Sequence, residues 1–477
     1  MINQGSNNNA IIALYFISLI MIVTILHSEF LWLDEAVQFY ISKGININSS
    51  DFFNLSGNLN DVILNNTLTN LDPGGFSVIL HYWSKVSNNI IWLRILPFSF
   101  YIIFVISFCY VFYLLFDKNK LSIFSVFISL FIPQFISKSI ELRAYSMEML
   151  GVSISILFLI FLEKKINNKK LLFFSLVMSF FITSRYSFLL TAFIHTLIVI
   201  KIILSNKTDF KKQFFHIMIY SIPLIITVIS IFFFSLIKQK QLLFENPYLG
   251  YTPYLNNNPL VLLEPKNIIY ILLIVCITLF YFKRKNKIKT NLRLILEYTI
   301  ISNLFFILIS FFGLHPWSLF SPPRGNHLLV LSIVSIISIV IYFFRFKIEK
   351  VNHYITILFL ATICFIYIYF LDITLENNWR NKNVITDLKK FESDEKLRLN
   401  KDTYILINKN MRFSVRYAFE YGIFKSGYKL SSQNFVFMKK NKPELYPENY
   451  RFLISYKWTK SNYNKLDGYN YIFSRNN

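Results

Sequence analysis

Glu29-Phe30-Leu31-Trp32-Leu33-Asp34-Glu35-Ala36-Val37-Gln38-Phe39-Tyr40 follows directly on an apolar run, Ala10 to Leu26, that is long enough to cross most of a bilayer. Asp34 and Glu35 therefore sit at a water–lipid boundary, among Phe30, Trp32, Phe39 and Tyr40. A charge placed there loses hydration, at a cost near hydrocarbon of about 3 kcal/mol. A solvated loop with ordinary helix-capping acids is the plain alternative, and only the rest of the chain decides between the two. If Asp34 to Ser42 is helical, Asp34 and Gln38 share a face, while Asp34 and Glu35 point about 100° apart. The two carboxylates then have different surroundings and different work.

Outward from that stretch the chain is apolar for most of its length. Of its 477 residues 54% are hydrophobic and 16% charged, against roughly a quarter charged in a soluble protein. Apolar runs of membrane-spanning length recur to about Leu371. The reading is an all-α polytopic membrane protein with about 11 transmembrane helices (range 10–13). They are expected at 10–27, 91–116, 121–137, 143–162, 170–184, 186–204, 214–237, 267–282, 293–312, 326–344 and 353–371. The first run has no basic n-region and no small-residue cleavage site, so it is expected to stay as a helix. Cys109, Cys276 and Cys364 lie in apolar runs without metal or disulfide spacing and are expected as small buried hydrophobes.

The formal net charge of +23 invites nucleic-acid binding, but no basic stripe sits on one module. Lysines and arginines gather instead in alternate short loops: Lys118 and Lys120; Lys164 to Lys170; Lys207 to Lys212; Lys283 to Lys289; Arg345 to Lys350. By the positive-inside rule those loops are cytoplasmic. The loop carrying Asp34, the 238–266 loop and the C-terminal segment then lie on the opposite face. For a bacterial plasma (inner) membrane that face is the outer, periplasmic one.

The expected division is a transmembrane domain over 1–372 and a small non-cytoplasmic, soluble α/β domain over 373–477. The outer loop 28–90 is too long for a simple connector. Asp34–Ser42 and Phe76–Val86 read as interfacial helices, and Asn46–Asn70 as a polar, Asn/Ser-rich stretch. In the C-terminal part strands are expected at Asp402–Asn408, Asn434–Met438, Tyr450–Tyr456 and Tyr469–Ser474, with a helix over Met411–Lys425.

Topology collects the unusual polar residues on one face. Asp34, Glu35 and Asp72 come from the first loop, and Arg94 from the mouth of the second span. Glu141, Arg143, Tyr145 and Glu148 open the fourth. Arg185 marks the next outer turn, and His315, Arg324 and His327 a later one. Each has a plain structural reading: Arg94 and Arg185 snorkelling to headgroups, Glu148 pairing with an arginine, His315 in a turn. Acids alone would suggest cation binding, and arginines alone an anionic lipid. Both at one membrane depth fit a reaction on a phosphorylated lipid, with a carboxylate base and a guanidinium clamp.

In the order of these features the chain resembles the integral-membrane glycosyltransferases of the GT-C class, the protein O-mannosyltransferase and aminoarabinose-transferase kind (glycosyltransferase family 39-like). The resembling pieces are Leu33-Asp34-Glu35-Ala36, Asp72-Pro73 leading into Leu80-His81-Tyr82-Trp83, Trp92-Leu93-Arg94-Ile95-Leu96-Pro97, and Glu141-Leu142-Arg143-Ala144-Tyr145-Ser146. They cover about the first 190 residues well. One departure is Gly74-Gly75 after Pro73, where the family often has Lys-Pro or Pro-Pro near an acid or His.

The resemblance implies transfer of a sugar from a polyprenyl-phosphate donor to a glycan, lipid or protein acceptor on the non-cytoplasmic face, with inversion. Asp34 is then the expected general base, with Glu35 beside it, and Arg143 and Arg324 the donor-phosphate cations, with Tyr145 orienting. Asp72, Glu141 and Glu148 are further acids for acceptor, sugar hydroxyls or a metal. Arg94, Arg185 and His81 are structural or donor-side. No cofactor is certain; a divalent metal is possible and its ligands are unknown. The competing expectations are a polysaccharide polymerase or O-antigen ligase, a lipid-linked sugar transporter, and a sensor or assembly scaffold acting through the C-terminal part. The largest interspan loop follows the first span, which disfavours the polymerase or ligase. Charges stay at the span ends, without half-to-half symmetry, which disfavours the transporter.

Overall fold

The computed structural model describes residues 31, 33–45, 57–69, 72–116, 135, 138–206, 209–237, 265–311, 326–348, 387, 390, 391, 394, 404–407, 412–417, 435–437, 450–454, 463–467, 469 and 472–475. The expected spans at 10–27 and 353–371, most of 121–137, most of the 238–266 loop, and His315, Arg324 and Cys364 lie outside them.

The first loop holds three short helices, α1 (Leu33–Ser42), α2 (Leu59–Thr69) and α3 (Gly75–Trp83). Long helices follow: α4 (Ile90–Leu115), α5 (Tyr145–Lys164), α6 (Asn168–Ile182), α7 (Tyr186–Ser205) and α8 (Phe210–Ile231). A π-helical turn, Phe232–Leu236, extends α8. Then come α9 (Pro265–Arg284), α10 (Thr290–Phe311) and α11 (Asn326–Ile348). Among the described residues five helical stretches are long and apolar enough to cross a membrane. These are α4, α5, α7, α8 with its π turn, and Thr290–Ile309 of α10. With so much apolar surface in bilayer-length helices, the chain is an integral membrane protein.

Helix α5 is the central post, with 89% of its apolar stretch buried against 17% for α8. It packs on α4, α6, α7, α10 and α11. Helix α8 instead turns Phe214, Phe215, Ile225, Ile226, Phe233 and Phe234 outward, as a lipid-facing surface requires. Two cysteines are less buried than expected: Cys109 is half-buried and packs against the core, and Cys276 is exposed. On outward helix faces a thiol costs little in lipid, and nothing draws it inward.

The polar stretch 46–70 conceals helix α2. Its start is a reciprocal cap, Asn58 N donating to Asp61 Oδ2 at 2.7 Å and Asp61 N to Asn58 Oδ1 at 3.1 Å. The Asn-x-x-Asp spacing is a capping signal that polarity alone obscures.

The C-terminal part forms a five-stranded mixed sheet, ordered β2-β1-β3-β5-β4. The strands are β1 (Tyr404–Ile407), β2 (Phe435–Phe437), β3 (Tyr450–Ile454), β4 (Tyr463–Lys465) and β5 (Ile472–Arg475). Strand β1 pairs in parallel with β2 and β3, while β5 is antiparallel to β3 and β4. Strand β4 is polar and three residues long, too short to show a period-2 pattern, and was not expected from the sequence. A short helix, α12 (Arg412–Tyr417), packs on α1. There Arg416 lies 4.6 Å over the Tyr40 ring, Tyr417 meets the edge of Phe39 at 5.1 Å, and the Tyr417 hydroxyl donates to the Asn88 carbonyl at 2.6 Å.

Candidate active site

Asp34 and Glu35, adjacent on α1, face different surroundings. Glu35 points inward and is 1% exposed. Its Oε2 is 3.0 Å from Arg94 Nη2 of α4, and its Oε1 accepts from the Leu142 backbone N–H at 2.8 Å. Arg94, 4% exposed, also donates from Nη1 to the Ile140 carbonyl at 3.3 Å. Together the pair grips both ends of the 140–142 turn that precedes α5. Arg94 does not snorkel to headgroups; it is a mount, because burying it without a carboxylate would be far costlier than burying the pair.

The turn so held aims the next residue. Arg143 Nη1 reaches Asp34 Oδ2 at 2.7 Å, across 109 residues of sequence. Asp34 keeps 39% of its side chain exposed and Arg143 17%, so the pair lies on a rim open to a reactant. Burial opposes the Arg143 charge, but the Tyr145 phenol and the carboxylates of Asp34, Glu141 and Asp72 more than offset it and hold the guanidinium above its ordinary range. Arg143 is therefore a permanent cation.

Tyr145, fully buried at the start of α5, stands among three cations. Lys138 lies 4.4 Å, Arg185 4.7 Å and Arg143 5.2 Å from its ring centroid. A ring face attracts cations, so one phenol gathers charges that would otherwise repel. Its hydroxyl has no hydrogen-bond partner among the described residues. Lys138, outside the candidates read from the sequence, makes a short buried ion pair with Glu141. Only its three-residue spacing from Glu141 hints at this in the sequence.

Asp72 lies 3.7 Å from Arg185, Oδ1 to Nε. The glycines after Pro73 explain how the two approach. Gly74 adopts φ +100°, a left-handed conformation open to glycine, and Gly75 N donates to the Thr183 carbonyl at 3.0 Å. A Cβ on Gly75 would stand 1.9 Å from Thr183 Oγ1, so a side chain there would push the Asp72 turn off the α6–α7 corner that carries Arg185. Arg185 is thus packed against Tyr145 and Asp72 and is no headgroup snorkel. The Asp72 backbone is held as well: Asn66 Nδ2 donates to its carbonyl at 2.8 Å, Ser77 Oγ to Asn66 Oδ1 at 2.6 Å, and Gln38 Nε2 to Ser77 Oγ at 2.6 Å. That chain ties α1, α2 and α3 together.

Two further expected residues are elsewhere. His81 donates from Nδ1 to the Ser42 carbonyl at 2.7 Å, closing α3 onto the end of α1. Among the described residues Glu148 pairs with no arginine. It is fully buried, accepts from Ser187 Oγ at 2.6 Å, and has His327 Nδ1 at 3.1 Å. Arg324 lies outside the described residues. Among those described, no three His, Cys, Asp or Glu side chains come together as a metal site, and Asp34 and Asp72 are each held by an arginine. Among the described residues the donor set does not fit a metal.

No protein-family model and no curated protein matches the chain. Among the solved structures that match is the Archaeoglobus fulgidus oligosaccharyltransferase, in complex with Zn and sulfate. It is 12% identical, the match covers 86% of this chain and 61% of that one, and the TM-score is 0.42. This chain therefore spans less than two thirds of that structure's length. Nothing about activity follows from so distant a likeness, and the side chains must carry the argument.

Each of the acids Asp34, Glu35, Asp72 and Glu141 has a cation, respectively Arg143, Arg94, Arg185 and Lys138. The two inner pairs are buried and serve as framework. The two outer pairs flank Tyr145, and the Asp34–Arg143 pair, with Asp34 39% exposed, can exchange partners with a bound anion at modest cost.

Proposed function

We propose that this protein transfers a sugar from a polyprenyl-phosphate donor to a hydroxyl-bearing acceptor at the membrane surface, with inversion, as the GT-C resemblance of its sequence implies. The observation that carries the reading is the Asp34–Arg143 pair, a carboxylate and a guanidinium 2.7 Å apart on an accessible rim. In this reading Asp34 is the general base. Arg143 and Arg185, with the Tyr145 ring between them, receive the donor phosphate.

The two roles are coupled by charge. A phosphodiester that loses its sugar leaves as a monoester with an additional negative charge. The acceptor oxygen forms its bond to the anomeric carbon from the opposite face, and its proton passes to Asp34. Once protonated, Asp34 no longer holds Arg143 electrostatically, and the guanidinium becomes available as charge accumulates on the phosphate. Cation stabilisation at a developing charge is worth about 3 kcal/mol for each well-aimed donor. Glu35 takes no part in proton transfer here; with Arg94 it positions Arg143.

The reading places this site on the non-cytoplasmic face, with residues 373–477 as a domain beside it. The test is sugar transfer in proteoliposomes supplied with labelled polyprenyl-phosphate sugar. Asp34→Asn should abolish transfer and still bind the donor. Near-normal turnover by that variant would reject the assigned base.

A further inference from the structure

Beneath the Tyr145 cluster lies an acid that the proposed reaction does not use. Glu148 sits in the first turn of α5, Ser187 in the first turn of α7 and His327 in the first turn of α11. All but a small part of Ser187 is buried. Three helix N-termini, each carrying partial positive charge, thus surround one carboxylate. The Ser187 hydroxyl and the His327 ring approach Oε1, while Oε2 has no hydrogen-bond partner among the described residues.

Arg185 stands just before α7, two residues from Ser187. Burial opposes its charge, and Asp72, Tyr145 and Glu148, in that order, more than offset it, so it is held above the ordinary guanidinium range. Yet no ion pair joins Arg185 to Glu148 among the described residues, and its contact with Asp72, at 3.7 Å, exceeds a formed charge-assisted bond. The guanidinium lies 4.7 Å over the ring of Tyr145, three residues before Glu148 on α5, and among the described residues it closes on neither acid. A buried carboxylate with an unpartnered oxygen would ordinarily draw in the nearest cation.

We propose that Ser187 and His327 restrain Glu148, a buried acid that would otherwise compete for Arg185, and so keep Arg185 directed at the phosphate site. Ser187 and His327 are positioning residues: the Ser187 hydroxyl donates to Glu148 Oε1 and the His327 ring stands beside it, which holds the carboxylate within the bundle and leaves Arg185 to the lipid phosphate. The inference rests on the donor reading above, in which Arg185 is one of the two phosphate cations.

The test is equilibrium binding of polyprenyl phosphate to the full-length protein in nanodiscs. Ser187→Ala removes the hydroxyl donor, leaves Glu148 to compete for Arg185, and is expected to weaken the Kd by about fivefold or more. Adding Glu148→Gln removes the competitor and is expected to restore the Kd to within about twofold of wild type, which a packing defect at Ser187 would not allow. Should Ser187→Ala prove unstable, Glu148→Gln alone is expected to bind as tightly as wild type or tighter, and weaker binding overturns the proposal. An unchanged Kd in Ser187→Ala, or no restoration in the double variant, also overturns it. Wild-type protein that binds no polyprenyl phosphate would sink the donor reading itself, and this inference with it.

Discussion

The sharpest prediction concerns the two adjacent carboxylates, which should respond to the same chemical change in opposite ways. Glu35→Gln preserves shape and the oxygen that accepts from Leu142, but leaves Arg94, 4% exposed, without its counter-charge. Breaking a buried pair from one side costs about 3–5 kcal/mol. Asp34→Asn acts on a pair of which one side chain is 39% exposed, where water screens the loss to below about 1 kcal/mol. Stability followed by thermal unfolding in detergent should therefore fall markedly in Glu35→Gln and hardly at all in Asp34→Asn. Turnover should show the reverse emphasis. Asp34→Asn removes a base worth about 10²–10⁴-fold in rate. Glu35→Gln protein that remains folded should lose about 10²-fold, through misplacement of Arg143. Combining Glu35→Gln with Arg94→Met removes both charges and should recover most of the stability. It should recover little of the rate, because the Arg94 grip on Ile140 is also gone. Equal effects of the two single variants on stability would refute the assignment of one acid to framework and the other to chemistry.

Arg143→Ala and Arg185→Ala should each raise the donor KM or lower kcat by about 10²-fold, and unchanged steady-state constants in either would remove it from the phosphate site. Gly75→Ala should destabilise the protein by about 1–3 kcal/mol, because its Cβ would meet Thr183 at 1.9 Å, and Thr183→Gly in the same chain should return part of that loss in a thermal unfolding assay. Tyr417→Phe deletes the 2.6 Å bond from the C-terminal helix to Asn88. It should cost about 1 kcal/mol and increase protease access to α1, so identical proteolysis of wild type and variant would show that α12 does not hold α1 in place.

Much of the framework follows from local rules. The expected spans at 91–116 and 186–204 coincide with α4 and α7 to within a residue, because long apolar runs have no alternative in lipid. The C-terminal strands β1, β2, β3 and β5 overlap their expected ranges to within three residues, since β-branched and aromatic runs mark them. Helix α2 was masked by asparagines although its cap was present, and β4 is too short to show a period.

The 100° step along a helix already separates Asp34 from Glu35 in the sequence, but it does not say which of them faces inward. Partner choice was likewise beyond reach. Arg94 finds Glu35 across 59 residues, Arg143 finds Asp34 across 109, and Glu148 finds Ser187 across 39. A charge seeks its counter-charge through space, and only helix packing sets which charges are near. The residues themselves thus determined that acids and arginines would gather at one end of a membrane bundle. The packed structure decided that Glu35 and Arg94 brace the turn, that Asp34 stays open on the rim, and that three cations share one tyrosine ring.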